Sequence, residues 1–234
     1  MAVTLGPLDL VVVDSLETAL HTHFGWSRFR AGQRPVVEAV LSGRDALAVL
    51  PTGGGKSLCY QLPALIRGGL VVVISPLVAL MEDQVLQLRR RGIAAACLHA
   101  GLDPARRQQA MAALRDESLR LLYLAPERLQ GEATQRLLET HAAEGRLVAL
   151  AVDEAHCISA WGHDFRPDYR RLGLIRRLCP GVPMLALSAT AAPRVRADIL
   201  RLLDQRSPSV QVSSARRKNL RYAMQLRPRD PMPQ

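Results

Sequence analysis

The sequence has few aromatic residues and almost no lysine. Of its 234 residues 4% are aromatic, and the lysines are Lys56 and Lys218 alone. Hydrophobic residues still make up 48% of the chain and charged residues 22%, a composition typical of a folded domain. Val, Leu, Ile and Ala must therefore fill most of the core. Since nearly all other cationic side chains are arginines, the position of Lys56 is informative.

The chain also lacks the patterns of membrane proteins, secreted proteins and zinc scaffolds. It has no apolar run of the roughly 20 residues that cross a bilayer, and no basic stretch followed by an apolar one at its N-terminus. The four cysteines form no C-x-x-C pair, so we expect neither a disulfide scaffold nor zinc in this chain. These absences predict a cytoplasmic protein with free thiols and no membrane partner.

Acidic residues are scarce towards the C-terminus, so the net charge of +10 is unevenly placed. Residues 1–190 contain 21 Lys and Arg against 18 Asp and Glu, whereas residues 191–234 contain 10 against 3. A basic segment attracts phosphate backbones without sequence preference. The charge distribution is therefore compatible with nucleic acid binding, although on its own it is weak evidence.

Short apolar runs alternate with amphipathic stretches along the chain. The runs predict buried strands at residues 46–50, 70–74, 94–98, 119–124, 147–152 and 184–187. The stretches between them predict helices at residues 57–66, 77–90, 104–115, 133–143, 169–178 and 193–203. This order predicts an α/β fold, with a mostly parallel sheet and helices on both faces.

The segment after the first predicted strand has the composition of a phosphate-binding loop. It reads Thr52-Gly53-Gly54-Gly55-Lys56-Ser57 and leads into a predicted helix. Glycines let backbone amides curve around one anion at the positive end of a helix dipole. In such loops the lysine contacts the terminal phosphates and the serine hydroxyl binds Mg²⁺. The sequence therefore predicts ATP at residues 52–57, with Lys56 catalytic and Ser57 a metal ligand.

The longer phosphate-loop pattern has a glycine six residues before the lysine, where this chain has Leu50. The match is therefore to the shorter pattern G-x-G-K-[ST] in a strand–loop–helix context. A flexible glycine turn is the alternative that the loop alone leaves open.

The predicted strand 147–152 ends in Asp153-Glu154-Ala155-His156. Acidic residues at the carboxyl end of a buried strand face the crevice where open α/β sheets bind ligands. We expect Asp153 to hold Mg²⁺ and Glu154 to orient the attacking water in phosphoryl transfer, which makes both catalytic. A helix cap with two exposed acids is the alternative for this pair taken alone.

These two motifs and five further segments resemble superfamily 2 helicases, and in particular the RecQ DNA helicases. The further segments are motif 0 at residues 24–33, motif Ia at 75–84, motif Ib at 125–129, the aromatic-rich loop at 155–169 and motif III at 188–190. The resemblance runs from about Phe24 to about Tyr222, and the aromatic-rich loop is its most specific part. It implies a RecA-like P-loop NTPase lobe of an ATP-dependent 3′–5′ DNA helicase.

The resemblance also implies roles for individual residues. In motif 0, Gln33 would read the adenine edge, Trp26 or Phe24 would stack on the base and Arg30 would face phosphate. The residues implied in DNA binding and its coupling to ATP hydrolysis are His156, Trp161, His163, Phe165, Arg166, Ser188 and Thr190. The implied partner is DNA, both single strands and duplex junctions. A hydrophobic plug that holds the loop to the sheet is the alternative for the aromatic residues.

The resemblance divides the chain into a helical lead-in at residues 1–23, the ATP-binding lobe at 24–212 and a basic linker at 213–234. No segment resembles motifs IV to VI, so we expect one lobe of a larger protein, with a second RecA-like lobe in cis. Two other functions stay open at this stage. One is a lobe that binds ATP or DNA without unwinding, and the other is part of a superfamily 2 RNA helicase.

Overall fold

The computed structural model describes residues 13–162, 164–213, 221 and 223, without the side chains of residues 13–15 and 170. Its strands are β1 (Ala46–Val49), β2 (Leu70–Ile74), β3 (Ala95–Leu98), β4 (Leu121–Leu124), β5 (Leu147–Val152), β6 (Met184–Ser188) and β7 (Ser209–Val212). Its α-helices are α1 (Val13–Phe24), α2 (Gln33–Leu41), α3 (Leu58–Arg67), α4 (Val78–Arg90), α5 (Pro104–Arg115), α6 (Glu132–Ala143), α7 (Gly173–Leu178) and α8 (Pro193–Leu202). Short 3₁₀ helices lie at Pro126–Gln130, Ala155–Ile158 and Pro167–Leu172.

The seven strands form one parallel sheet in the order β3-β4-β2-β5-β6-β1-β7. From β1 the chain moves towards β3 through α3 and α4, and then reverses direction through α5 to α8. Right-handed crossovers place helices from these two series on opposite faces of the sheet. The predicted α/β architecture is confirmed. Because all strands are parallel, the carboxyl ends of β1, β5 and β6 lie at one edge, with β6 between the other two.

Burial explains why the strands are so uniformly apolar. Every residue of β1, β2, β3, β4 and β6 is buried, since helices cover both faces of the sheet. The three largest fully buried side chains are Tyr60, Tyr123 and Tyr169, so several of the few aromatics lie in the core. The hydroxyls of Tyr60 and Tyr123 lie 3.4 Å apart, which gives these buried polar groups a partner.

The predicted strands agree with the observed ones to within two residues, but the edge strand β7 was missed. It pairs with β1 alone in the described sheet, and its residues are only half-buried or exposed. The predicted helix at residues 169–178 is instead a 3₁₀ helix, Pro167–Leu172, followed by the short α7.

Two helices begin with residues that suit a helix N-terminus. The Oδ1 atom of Asp103 accepts hydrogen bonds from the amides of Ala105 at 2.9 Å and Arg106 at 3.1 Å, at the start of α5. Pro193 occupies the first turn of α8, where its missing N–H costs nothing. No helix in the described ranges is both long and apolar enough to span a bilayer.

Candidate active site

The phosphate-binding loop joins β1 to α3, and its glycines are required by its backbone. Gly53 and Gly55 have φ values of +79° and +77°, in the left-handed region that side chains disfavour. A Cβ atom on Gly54 would lie 2.7 Å from the carbonyl oxygen of Pro51. The three glycines therefore allow a turn that no other residues would form without strain.

The start of α3 offers unsatisfied amide donors beside Lys56. Within the described ranges, the backbone amides of Gly55, Lys56 and Ser57 donate to no protein acceptor. Free amides at a helix N-terminus, reinforced by the helix dipole, bind anions. The residues present therefore fit a nucleotide phosphate, and the exposed Thr52 lies at the mouth of the same loop.

Side chains of motif 0 form hydrogen bonds with the backbone carbonyl groups of this loop. The Nε2 atom of Gln33 donates to the carbonyl oxygens of Gly54 at 3.2 Å and Gly55 at 2.9 Å. Its Oε1 atom accepts from the Arg30 amide at 2.7 Å, and the Arg30 guanidinium contacts the Gly53 carbonyl. Gln33 is buried, and in this conformation its amide group helps to shape the phosphate-binding loop.

An aromatic surface borders the loop. Trp26 stacks on Phe24 with ring centroids 5.5 Å apart, and Arg91 lies over the Phe24 ring at 5.8 Å. Trp26 is 43% exposed, so one large ring is open to a ligand. These residues line an open cavity of about 210 Å³ that also includes Gly55 and Ser57. A planar base can stack there while its phosphates reach the loop.

Asp153 lies at the end of β5 and is nearly buried. Its Oδ1 atom accepts a hydrogen bond from the Glu154 amide at 3.0 Å. Burial, followed by the neighbouring Glu154 charge, raises the pKa of Asp153 to about 6, although Lys56 and His156 oppose the shift. The phosphate-binding loop and the acidic motif follow the carboxyl ends of β1 and β5, at the same edge of the sheet, where the Lys56 charge acts on Asp153. A buried carboxylate beside a lysine fits a water-mediated Mg²⁺ ligand.

Glu154 has a backbone conformation that is costly for a residue with a side chain. Its φ is +48° and its ψ is +45°, in the left-handed helical region. Such strain collects at functional sites because the surrounding structure must enforce it. Here the enforced turn directs Glu154 towards His156, with Oε2 3.3 Å from Nδ1.

His156 connects the acidic motif to motif III. The Ser188 hydroxyl donates to the Thr190 carbonyl at 2.7 Å, so it must accept from His156 Nδ1, which lies 3.1 Å away. The Nδ1 atom of His156 therefore carries a proton. Ser188 lies at the end of β6, between β1 and β5, and the link from motif III to the acids passes through the histidine.

The aromatic-rich loop follows directly, and Arg166 anchors it to motif Ia. The Nη1 atom of Arg166 donates to the Pro76 carbonyl at 3.0 Å, and Nη2 lies 3.1 Å from Asp164. Trp161 is 62% exposed and Phe165 is 37% exposed. Two large rings thus lie near the surface at the carboxyl edge of the sheet, where a single strand can stack on them. This exposure argues against the hydrophobic-plug alternative for Trp161.

Sequence reasoning missed the contacts that hold this loop to α8. The Ser159 hydroxyl donates to Asp198 Oδ2 at 2.7 Å and accepts from the Trp161 amide at 3.1 Å. The Arg194 guanidinium lies 3.5 Å from the centre of the Trp161 ring. Ser159 and Asp198 are 39 positions apart, so no local spacing in the sequence could have revealed the pair.

The structure brings most of the predicted residues to one edge of the sheet. The phosphate-binding loop, the acidic motif and motif III share the ends of β1, β5 and β6, while Trp26, Arg30 and Gln33 approach from α2 and the loop before it. His163 lies outside the described residues, as does most of the predicted basic linker at residues 213–234. The functional roles of all these residues stay predictions.

Comparisons with known proteins agree with this geometry. The chain is 46% identical over 218 residues to the ATP-dependent DNA helicase RecQ of Pasteurella multocida, covering 93% of this chain and 33% of that protein. It is 45% identical over 216 residues to the RecQ helicase of Synechocystis, covering 91% of this chain and 45% of that protein. The chain thus spans less than half the length of these relatives.

A structural comparison supports the fold independently. Mycobacterium smegmatis helicase Lhr, solved with ssDNA and AMP-PNP, matches with a TM-score of 0.65 at 22% identity, over 86% of this chain and 28% of that chain. Residues 30–199 match the family model described as DEAD/DEAH box helicase, which is well over half of the chain. The chain therefore belongs to the DEAD/DEAH box helicase family.

Proposed function

We propose that this chain is the ATP-binding motor lobe of a RecQ-type ATP-dependent DNA helicase. The observation that carries the proposal is the convergence of Lys56, Asp153 and Glu154 at the ends of β1 and β5, with His156 hydrogen bonded to Ser188 between them. This constellation suits phosphoryl transfer from ATP, in which the protein mainly positions groups and stabilises charge. The relatives named RecQ match across nearly the whole chain.

The proposed roles follow from the contacts. The free amides at the start of α3 and Lys56 hold the phosphates, while Trp26 offers a stacking surface to the base. Ser57 and Asp153 are the proposed residues that hold Mg²⁺, which neutralises charge on the phosphates when bound. Glu154, fixed by its strained backbone, orients a water molecule.

DNA is the proposed partner of the exposed aromatic-rich loop. Trp161 can stack on a base, while Arg166 of the loop and Arg194 of α8 offer positive charge to phosphates. The loop begins next to His156, so a shift of the loop on DNA binding reaches Glu154 through one side chain. We propose that a second RecA-like lobe supplies the groups that complete the nucleotide site.

The test is the rate of Mg-ATP hydrolysis by the two-lobed protein with and without single-stranded DNA. Glu154→Gln keeps the shape of the side chain but removes its charge, so hydrolysis should be lost while ATP still binds. Retained hydrolysis would exclude Glu154 from catalysis. Stronger stimulation by single-stranded RNA than by DNA would instead favour an RNA helicase.

Strand separation by the 234 residues alone is the complementary test. We expect nucleotide binding and salt-sensitive DNA binding but no unwinding, because movement along a strand needs two lobes that open and close. Unwinding that disappears in Lys56→Ala would contradict this expectation.

A further inference from the structure

Three potential metal ligands meet beside the edge strand β3, away from the nucleotide site at β1 and β5. Cys97 lies near the end of β3 and His99 follows two residues later, so both side chains leave the extended backbone on the same face. Glu82 reaches them from α4, which packs against β3. One ligand atom from each of the three residues lies within 4.8 Å of the other two.

His99 has an unsatisfied nitrogen in this cluster. The imidazole is buried, and its Nε2 atom makes no hydrogen bond within the part of the chain that the structure describes. Nε2 lies 3.5 Å from Glu82 Oε1, a distance that allows an ion pair with a protonated imidazole, but the two atoms form no hydrogen bond. Buried polar atoms are nearly always paired, so this orphaned nitrogen needs an explanation.

A thiol, an imidazole and a carboxylate together form a donor set that suits zinc. Zn²⁺ binds sulfur, nitrogen and oxygen ligands at about 2.0–2.3 Å in tetrahedral geometry, which places ligand atoms about 3.3–3.8 Å apart. The observed separations, all within 4.8 Å, come close to that spacing, so side-chain adjustments of about 1 Å suffice. Alkaline-earth ions are poor candidates, because they prefer an all-oxygen shell.

We infer that Glu82, Cys97 and His99 form a binding site for Zn²⁺ or a similar transition-metal ion, with a fourth position open to water. On binding, the Cys97 thiol loses its proton to solvent and the thiolate sulfur coordinates the ion. The orphaned Nε2 of His99 provides the second ligand, and Glu82 the third. The sequence predicted no zinc because Cys97 and His99 match no common zinc spacing, and Glu82 lies on a different element.

Arg106 would compete with a metal ion for the carboxylate of Glu82. Its Nη1 atom lies 3.1 Å from the same Glu82 Oε1 that faces His99, so it already neutralises part of the carboxylate charge. Arg106 and Arg89 also line a small cavity beside Cys97, which brings positive charge near an incoming cation. Removing the Arg106 charge should therefore strengthen metal binding, a result that a purely structural cluster would not give.

The proposed metal would join α4, which carries part of motif Ia, to the edge strand β3 and the segment after it. Glu82 belongs to α4, which starts just after Pro76, the residue that Arg166 of the aromatic-rich loop contacts. Cys97 lies in β3, an edge strand of the sheet, and His99 lies just after it. A bound ion would thus fix α4 to the sheet edge and stabilise the folded chain by mass action.

The experiment uses Co²⁺ as a spectroscopic probe and Zn²⁺ as a competitor on the whole 234-residue chain. We expect saturable sulfur-to-cobalt charge-transfer absorption at about one ion per chain, which Zn²⁺ abolishes. Cys97→Ser should eliminate this absorption, while Cys179→Ser, a control at another buried cysteine, should retain it. His99→Asn and Glu82→Gln should each weaken binding at least about tenfold, and Arg106→Gln should tighten it.

Two results would overturn the proposal. One is cobalt absorption that persists in Cys97→Ser or disappears equally in Cys179→Ser. The other is metal affinity that His99→Asn, Glu82→Gln and Arg106→Gln all leave unchanged. If Cys97→Ser fails to fold, as circular dichroism would reveal, these three variants decide the outcome, because Glu82 and Arg106 are partly exposed.

Discussion

The Nε2 atom of Gln33 lies 2.9 Å from the carbonyl oxygen of Gly55, and 3.2 Å from that of Gly54. A Cβ atom on Gly55 would lie 2.3 Å from this same Nε2 atom, so the glycine is what permits the contact. The helix that begins with Gln33 therefore holds the phosphate-binding loop from behind. The resemblance assigns Gln33 to the base, whereas the observed bonds give it a second task in shaping the loop.

We predict that Gln33→Ala weakens the binding of ATP and GTP alike if the loop contact dominates. The change removes three partly buried hydrogen bonds and leaves the two loop carbonyls and the Arg30 amide without this partner, so the free energy of unfolding should fall by about 1–3 kcal/mol. Binding of both nucleotides can be measured by calorimetry, with urea unfolding in parallel. Loss of ATP binding with unchanged GTP binding and stability would instead support recognition of the adenine edge.

We predict that Lys56→Ala weakens ATP binding by about 10–100-fold, since one charge-assisted contact to phosphate contributes about 1.5–3 kcal/mol. AMP lacks the terminal phosphates, so its affinity should change little. Lys218→Ala is the matched control, because it removes the chain's other lysine and the same charge. Equal losses for ATP and AMP, or for the two variants, would contradict a phosphate role for Lys56.

Much of the fold was predictable because burial leaves a local trace. The strands between β1 and β6 are buried at nearly every position, which makes them continuous apolar runs in the sequence. β7 leaves no such trace, because Val210 and Val212 are 44% and 48% exposed and alternate with polar residues. Its pairing depends on the neighbouring β1, and a neighbour in space is not visible in local composition.

The candidate site likewise contains residues that the sequence predicts and contacts that it does not. The glycines, Lys56 and Asp153 follow strand ends in recognisable order, so the sequence predicts them. The bond between Ser159 and Asp198 and the contact between Trp161 and Arg194 join residues far apart in the chain. Only the order of strands in the sheet brings them together.

The raised pKa of Asp153 predicts a specific dependence of stability on pH. Burial raises the pKa from 3.8 to about 6, so the folded state binds the proton more tightly than the unfolded state. Stability should therefore fall as pH rises from about 4 to about 6, and stay reduced above that range. Asp153→Asn removes the charge and should be more stable than the original protein by about 2–3 kcal/mol at pH 7.

The difference between the two proteins should shrink as pH falls below about 6 and approach zero only at about pH 3, where Asp153 is largely protonated in both the folded and the unfolded state. Thermal unfolding across this pH range measures the stability difference. Asp116→Asn is the control, because Asp116 is exposed. A stability difference that does not vary with pH would show that the cost of burying Asp153 is already compensated in the folded protein.

The hydrogen bond from Ser159 to Asp198 predicts how firmly the aromatic-rich loop is held. This bond, followed by the Arg201 contact, lowers the pKa of Asp198, so its carboxylate is charged and accepts strongly at neutral pH. Asp198→Ala should release the Ser159 hydroxyl, which also accepts a hydrogen bond from the Trp161 amide. We expect this substitution to lower the free energy of unfolding by about 1 kcal/mol, because the site is only partly buried.

Tryptophan fluorescence can report this release directly. The chain has two tryptophans, so Trp26→Phe leaves Trp161 as the single probe. In that background, Asp198→Ala should increase acrylamide quenching of Trp161 and reduce the spectral change on adding single-stranded DNA. Arg201→Ala is the control, because it removes the other partner of Asp198 while keeping the bond to Ser159. Equal quenching in both variants would mean that Arg194 alone holds the indole ring in place.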